Sequence, residues 1–113
     1  MMKIKLKLAR FVEKTFNYRP LPKGLTIQQS KIDGQGLFSK KLFGAGECFG
    51  LTHQFLNKKH QWVRTPLGGF INHSETPNCF INNEGSQRVL YSVRPIKKNE
   101  ELTVYYRLEN YGN

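Results

Sequence analysis

The chain has 113 residues, of which 38% are hydrophobic and 23% charged, and its formal net charge is +10. This length and composition fit one domain with one modest core and exclude an intrinsically disordered chain. No apolar run approaches the roughly 20 residues that a membrane-spanning helix needs, and the basic N-terminus lacks the apolar stretch of a signal peptide. We therefore expect a cytoplasmic protein with no membrane contact.

The positive charge is concentrated in the N-terminal third. Residues 1–41 carry ten Lys and Arg against two acidic residues, a net charge of +8, whereas residues 42–113 carry eight against six, a net charge of +2. One interpretation is an acidic partner, either nucleic acid or an acidic protein surface. The other is a solvated face that keeps the protein soluble.

The cysteines and histidines do not indicate a metal site. Cys48 and Cys79 are the only cysteines, and no Cys-x-x-Cys pair exists. His53, His60 and His73 show no metal-binding spacing. We therefore expect reduced, mostly buried thiols and no metal.

The N-terminal segment fits two structures. In residues 3–16, apolar residues alternate with lysines as in a strand, but a second set of apolar residues also lines one helical face. A short helix is favoured. We interpret residues 1–24 as a basic N-terminal extension and residues 25–113 as a single globular domain.

From Leu25 onward the patterns predict a mainly β chain of many short strands. Leu25-Thr26-Ile27 begins the series, and residues 88–94 alternate well, with Val89 and Tyr91 on one face. No long amphipathic helix follows residue 20.

Two segments share one shape. Residues 42–49 and 95–102 each run from an apolar residue through a turn and an acid to a second apolar residue. They predict two similar strand-turn-strand corners. Asn99 lies in the second turn, where a left-handed conformation is expected because Asn tolerates it.

Gly34 and Gly36 lie two residues apart, just before the apolar Leu37-Phe38. Glycines allow the backbone to pass close to another group without a Cβ clash, which suits a cofactor pressed against the main chain. A dinucleotide fingerprint is excluded because the third glycine and the following helix are missing. The alternative is a plain turn.

A polar run follows the apolar Phe70-Ile71. Asn72 and His73 offer several hydrogen-bond donors and acceptors, and so close to an apolar strand end they need partners. Pro77-Asn78 then turns the chain. The alternative interpretation is that these side chains tie the loop to neighbouring strands.

A final strand ends in Tyr105 and Tyr106, which must point to opposite sides of the chain. One can face a pocket while the other covers the sheet, although simple packing is the alternative. Glu100 and Glu101 precede them in an expected exposed turn, so a catalytic carboxylate pair is not indicated. Nucleophile-elbow and phosphate-loop motifs are absent.

Taken in order, these three motifs resemble the SET domain family of protein-lysine methyltransferases, over about residues 25–106. The resemblance implies a β-clip fold with a C-terminal pseudoknot, in which the Asn-His-Ser strand and the Leu-Thr-Val-Tyr-Tyr strand lie side by side. It also implies an in-line transfer of methyl from S-adenosyl-L-methionine to a lysine amine of a protein substrate.

The resemblance also implies the site residues. Asn72 binds the methyl donor through its side chain, His73 contacts it near the adenine, and Tyr106 is the catalytic tyrosine. The main chain around four residues lies against the amino-acid and sulfonium part of the donor: Gly34, Gln35, Gly36 and Leu37. Tyr111 could stack on the adenine, or a second subunit could close the pocket, so a homodimer is plausible.

Three more residues are placed at the substrate channel. Thr52 and His53 fall near the lysine channel, although His53 could equally be a surface residue. Val104 stands where the family often has Phe or Tyr, which predicts a roomier site and addition of more than one methyl.

The insert that would grip a peptide, about residues 53–67, is short, and such minimal members resemble viral and bacterial ones. For a viral protein the expected location is the host cytoplasm. The rival hypothesis is a catalytically weak scaffold that binds nucleic acid or an acidic protein through the basic N-terminal region.

Overall fold

A computed structural model of the chain describes residues 21–106. The predicted N-terminal helix or strand and the position of Tyr111 lie outside these residues. Among the described residues, we find no helix with the length and hydrophobicity that a membrane span requires.

The described residues form eight strands and one four-residue helix, which confirms the mainly β prediction. The elements are β1 (Leu25–Gln29), β2 (Gln35–Ser39), β3 (Cys48–Leu56), β4 (Gln61–Arg64), α1 (Pro66–Gly69), β5 (Asn72–His73), β6 (Cys79–Glu84), β7 (Gln87–Ser92) and β8 (Glu101–Val104). Sequence patterns did not predict α1. It begins because the Thr65 side chain accepts a hydrogen bond from the Gly68 amide and Pro66 occupies the first turn.

The first sheet has the order β1-β2-β8-β5. β8 pairs antiparallel with β2 and parallel with β5, where Asn72 lies opposite Thr103 and His73 opposite Val104. The Ser74 amide extends this pairing by donating to the Val104 carbonyl over 2.9 Å. The predicted side-by-side placement of the Asn-His-Ser and Leu-Thr-Val strands is therefore confirmed.

The second sheet has the order β4-β3-β7-β6 and is antiparallel throughout. The two predicted corners join each other, because Phe43 and Ile96 exchange backbone hydrogen bonds of 2.9 Å in both directions. Asn99 has φ +70°, as expected for the second turn.

One apolar core lies between the sheets and includes residues of both. Its fully buried members are Leu37, Leu90, Ile96 and Leu102, and burying each such side chain contributes about 1.5–3 kcal/mol. Because β2 and β8 contribute to this core, the ends of these strands, where the motif residues lie, have a rigid base.

The two cysteines are both free thiols in different surroundings. Cys79 is buried, and that burial raises the pKa of its thiol to about 12, so it stays protonated. Cys48 is exposed, so the prediction of mostly buried thiols holds for Cys79 and is wrong for Cys48.

Candidate active site

Asn72 connects three parts of the first sheet. Its amide nitrogen donates to the Glu101 carboxylate over 2.9 Å and to the Asp33 carbonyl over 3.1 Å, with the Gln35 carbonyl at 3.4 Å. These acceptors occupy both amide protons, while Oδ1 has no hydrogen-bond partner among the described residues. Towards a ligand, Asn72 therefore presents an acceptor.

Glu101 is the residue that sequence reasoning missed at this place. Its carboxylate accepts from Asn72 and, over 2.8 Å, from the Ser30 hydroxyl at the end of β1. The expectation that Glu101 lies in an exposed turn is wrong, because it is half-buried at the start of β8. Its position directly before an apolar strand was an available signal, whereas Ser30, 71 residues away, gave none.

The Gly34–Leu37 segment lies against this network. Gly34 has φ +48° and no atom within 4 Å of the position that a Cβ would take, so its surface is open. Gly36 is buried, and a Cβ there would collide with the Glu101 carboxylate. Leu37 is fully buried in the core and fixes the segment, while Gln35 is exposed. Gly34 thus leaves open space at its surface, and Gly36 allows the Glu101 carboxylate to lie close to the backbone.

His73 lies on β5 with both ring nitrogens engaged. Nδ1 accepts from the backbone amide of Tyr106 over 2.9 Å, and Nε2 lies 3.2 Å from the Glu75 carboxylate. Because Nδ1 is an acceptor, the ring proton belongs on Nε2, where it donates to Glu75. The rings of Tyr105 and Tyr106 lie 5.0 and 6.2 Å from the His73 ring, centroid to centroid.

The two tyrosines follow the end of β8 at Val104, so strand alternation does not apply to them, but they differ in exposure. Tyr106 is half-buried, and its hydroxyl donates to the Ile71 carbonyl over 2.9 Å. Tyr105 is exposed. Tyr106 is thus held by its hydroxyl and by its amide against the residues on either side of Asn72.

Asn78 supports β8 from the turn that follows β5. Its amide donates to the Glu101 carbonyl over 2.8 Å, and its Oδ1 accepts from the Thr103 amide over 2.9 Å. The side chain therefore acts as a short strand neighbour. Glu100 also lies here, and its ion pair with Arg94, with nitrogen and oxygen 2.8 Å apart, holds the Glu100 pKa below its usual value.

Thr52 and His53 lie in the interior. The Thr52 hydroxyl donates to the Arg88 carbonyl over 3.1 Å and accepts from His53 Nδ1 over 2.8 Å. His53 is only 6% exposed, so the alternative that it is an ordinary surface residue is wrong. Burial, with the charges of Arg88 and Arg64, lowers the His53 pKa to about 4, so the ring is neutral.

The structure brings together Gly34, Gly36, Asn72, His73 and Tyr106 at one end of the first sheet. Val104 is buried at the adjoining end of β8, opposite His73 in the sheet. The hydrogen bonds of Thr52 and His53 described above lie in the second sheet, and their channel role and that of Val104 stay predictions. Across residues 21–106, no group of three or more His, Cys, Asp or Glu is placed to hold a metal ion.

Comparison with known proteins identifies the family. The SET domain family model matches residues 52–107. A SET domain-containing protein of Dictyostelium discoideum is 31% identical over 104 residues, and the match covers 82% of this chain and 26% of that protein. The histone-lysine N-methyltransferase, H3 lysine-4 specific, of Chaetomium globosum is 54% identical over 52 residues, and the match covers 40% of this chain and 5% of that enzyme.

The fold is also shared with solved structures. The methyltransferase domain of human PR domain-containing protein 2 superposes with a TM-score of 0.61 at 18% identity, covering 77% of this chain and 79% of that one. The chain spans about a quarter of the Dictyostelium relative and about a twentieth of the fungal enzyme. These relatives are eukaryotic and do not support the expected viral or bacterial affinity. By its sequence motifs, its strand order and these matches, the chain belongs to the SET domain family.

Proposed function

We propose that the protein is an S-adenosylmethionine-dependent protein-lysine N-methyltransferase. The observation that carries this proposal is the double attachment of Tyr106, through its hydroxyl to Ile71 and through its amide to His73. It fixes a phenol oxygen next to the Asn72-His73 pair, at the site where the family resemblance places methyl transfer.

The residues present fit S-adenosylmethionine. Oδ1 of Asn72 offers an acceptor for the ammonium of its amino-acid part, because both Asn72 amide protons are already used. Gly34 has no atom within 4 Å of the position of a Cβ, which leaves open space in the segment that Asn72 contacts through Asp33 and Gln35. When bound, this cofactor would supply an electrophilic methyl group on a sulfonium sulfur. Tyr111 remains a proposed adenine contact.

Tyr106 would orient the substrate. Its hydroxyl proton is directed at the Ile71 carbonyl, so towards the lysine amine its oxygen acts as an acceptor. When the Tyr106 oxygen accepts a hydrogen bond from the amine N–H, the lone pair of the amine nitrogen is fixed in one direction. Positioning of this kind supplies most of the acceleration of methyl transfer. His73 holds the Tyr106 backbone and, with Nδ1 occupied, is not the base.

The amine must be neutral to react, whereas a free lysine has a pKa of about 10.4. Transfer from water into a partly dry site disfavours the ammonium form and lowers that value. The half-buried Tyr106 ring contributes to this exclusion of water. The substrate class is therefore a protein with an accessible lysine.

Several finer points stay proposals. The Val at position 104 favours addition of more than one methyl, and a mass spectrum showing only monomethyl product would contradict this. A histone substrate, as named for the fungal relative, is one candidate. Nucleic-acid contact through the basic N-terminal residues, a homodimer and a cytoplasmic location have no support beyond the sequence.

The test is methyl transfer from isotope-labelled S-adenosylmethionine to a histone mixture and to a eukaryotic cell lysate. We expect discrete labelled bands with the natural protein and their loss in Tyr106→Phe. The matched control is Tyr105→Phe, which removes a hydroxyl from the exposed neighbour and should keep the labelling. Cofactor binding without any labelling in either mixture would instead support the scaffold hypothesis.

A further inference from the structure

Glu101 places a negative charge directly beside the residue to which the proposed function assigns cofactor binding. Its two carboxylate oxygens lie 2.9 Å from the Asn72 amide nitrogen and 2.8 Å from the Ser30 hydroxyl. Both contacts come from neutral groups. Among the described residues, the carboxylate with a charged partner is that of Glu100, paired with Arg94, and Glu101 has no such partner there.

Such a charge is more than this framework requires. A neutral amide could make the same two contacts, by accepting from Asn72 and donating to Ser30, so the geometry alone does not require a carboxylate. The neighbouring Glu100 differs from Glu101, because its carboxylate forms an ion pair with Arg94. In addition, Gly36 supplies the space that the Glu101 carboxylate occupies, since a Cβ at that position would displace it.

The charge lies where a positively charged ligand is expected. Asn72 presents Oδ1 to the ligand while its amide nitrogen contacts Glu101, so one side chain separates the carboxylate from the bound molecule. At this separation in a half-buried site, Coulomb interactions remain effective, because screening by water is incomplete.

We propose that Glu101 is a specificity-determining residue that favours the cationic methyl donor over its spent product. This inference rests on the proposed function. S-adenosylmethionine carries one more positive charge than S-adenosylhomocysteine, because transfer converts the sulfonium into a neutral thioether. Apart from this charge the two molecules differ only by the transferred methyl group, so a fixed anion discriminates between them by charge and assists exchange of product for fresh donor.

The experiment compares the dissociation constants of the two ligands by isothermal titration calorimetry. The ratio of the S-adenosylhomocysteine constant to the S-adenosylmethionine constant is measured for the natural protein and three variants. Glu101→Gln keeps the hydrogen bonds, because its carbonyl can accept from Asn72 and its amide can donate to Ser30. We expect this variant to lower the ratio about fivefold.

Two variants serve as controls. Ser30→Ala removes a hydrogen bond to Glu101 but keeps the charge, and should leave the ratio within about twofold. Glu84→Gln makes the same charge change at an exposed position of the second sheet and should leave the ratio unchanged. Thermal denaturation of each variant reports whether the fold is retained.

Each outcome decides the inference. A ratio that is the same in Glu101→Gln and the natural protein, even with both affinities reduced, overturns it and leaves the proposed function standing. An equal fall of the ratio in Glu84→Gln also overturns it, because net charge alone would then suffice. A natural protein that binds neither ligand overturns the proposed function as well.

Discussion

His73 holds the backbone of Tyr106: the Tyr106 amide donates to Nδ1 of the imidazole over 2.9 Å. The Tyr106 hydroxyl is fixed separately on the Ile71 carbonyl. The His73 ring therefore links β5 to the residues that follow β8. We expect the contribution of His73 to catalysis to depend on this hydrogen-bond acceptor and not on the basicity of the ring.

This relationship predicts different results for two substitutions of His73. His73→Ala removes the acceptor, so the Tyr106 amide loses its hydrogen bond to β5 and kcat at saturating cofactor should fall by about tenfold or more. His73→Asn retains an acceptor oxygen near the position of Nδ1 and should retain a larger part of kcat. Steady-state kinetics with labelled cofactor measures both. Equal losses of kcat in the two variants would show that the imidazole ring is required for a reason other than this hydrogen bond.

A second prediction concerns Asn78, which is buried and bonded to the backbone of β8 at Glu101 and Thr103. Asn78→Ala removes the hydrogen bonds to the half-buried Glu101 carbonyl and to the buried Thr103 amide, so the free energy of unfolding should fall by about 2–4 kcal/mol. Urea denaturation measures this.

The control for Asn78 is Asn82→Ala, since Asn82 is exposed on β6 and its side chain donates to the exposed Glu84. This change should alter the free energy of unfolding by less than about 0.5 kcal/mol. A loss at Asn78 as small as that at Asn82 would show that water can replace the amide.

Sequence patterns predicted the parts of this fold that depend on local chemistry. Alternation at residues 88–94 predicted a strand, which the structure has at Gln87–Ser92, and turn propensity predicted the left-handed Asn99. The motif order and its family resemblance then predicted that β5 and β8 lie side by side, although β5 is only two residues long.

The remaining contacts could not be predicted because they join residues far apart in the chain. Ser30 and Glu101 form a hydrogen bond although they are 71 residues apart in the chain. A serine in a polar loop carries no sequence pattern that identifies its partner. Glu101 was misplaced because two adjacent glutamates normally indicate a solvated turn. The sequence around His53 fits both a channel residue and a surface residue, because its burial depends on how β4 and β7 flank β3.

A third prediction tests the close packing at Gly36. Gly36→Ala places a Cβ against the Glu101 carboxylate and close to Ser30, so the network around Asn72 must shift. We expect the free energy of unfolding to fall by about 1–3 kcal/mol, as for an overpacked site. S-adenosylmethionine affinity should also fall.

Gly44→Ala is the matched control for Gly36→Ala, because no atom lies within 4 Å of the position of a Cβ at Gly44. The control should be neutral or slightly stabilising, since alanine restricts the unfolded chain. Unchanged stability and unchanged affinity in Gly36→Ala would mean that the carboxylate moves aside without cost.

The last prediction uses the buried imidazole of His53, whose pKa of about 4 lies below the ordinary value of 6.5. Between these two values the unfolded chain binds a proton that the folded chain does not, so stability falls as the pH falls. The loss begins as the pH drops below about 6.5, is complete below about 4, and amounts to at most about 3 kcal/mol.

His53→Asn isolates this effect, because its amide can still donate to Thr52 but does not titrate. Unfolding free energies of the natural protein and the variant are compared between pH 7 and pH 5, above the range in which Glu100 takes up a proton. The natural protein should lose more stability over this interval than the variant, since the other histidines are common to both. Parallel pH curves would mean that His53 titrates normally and that its burial leaves the ring in contact with water.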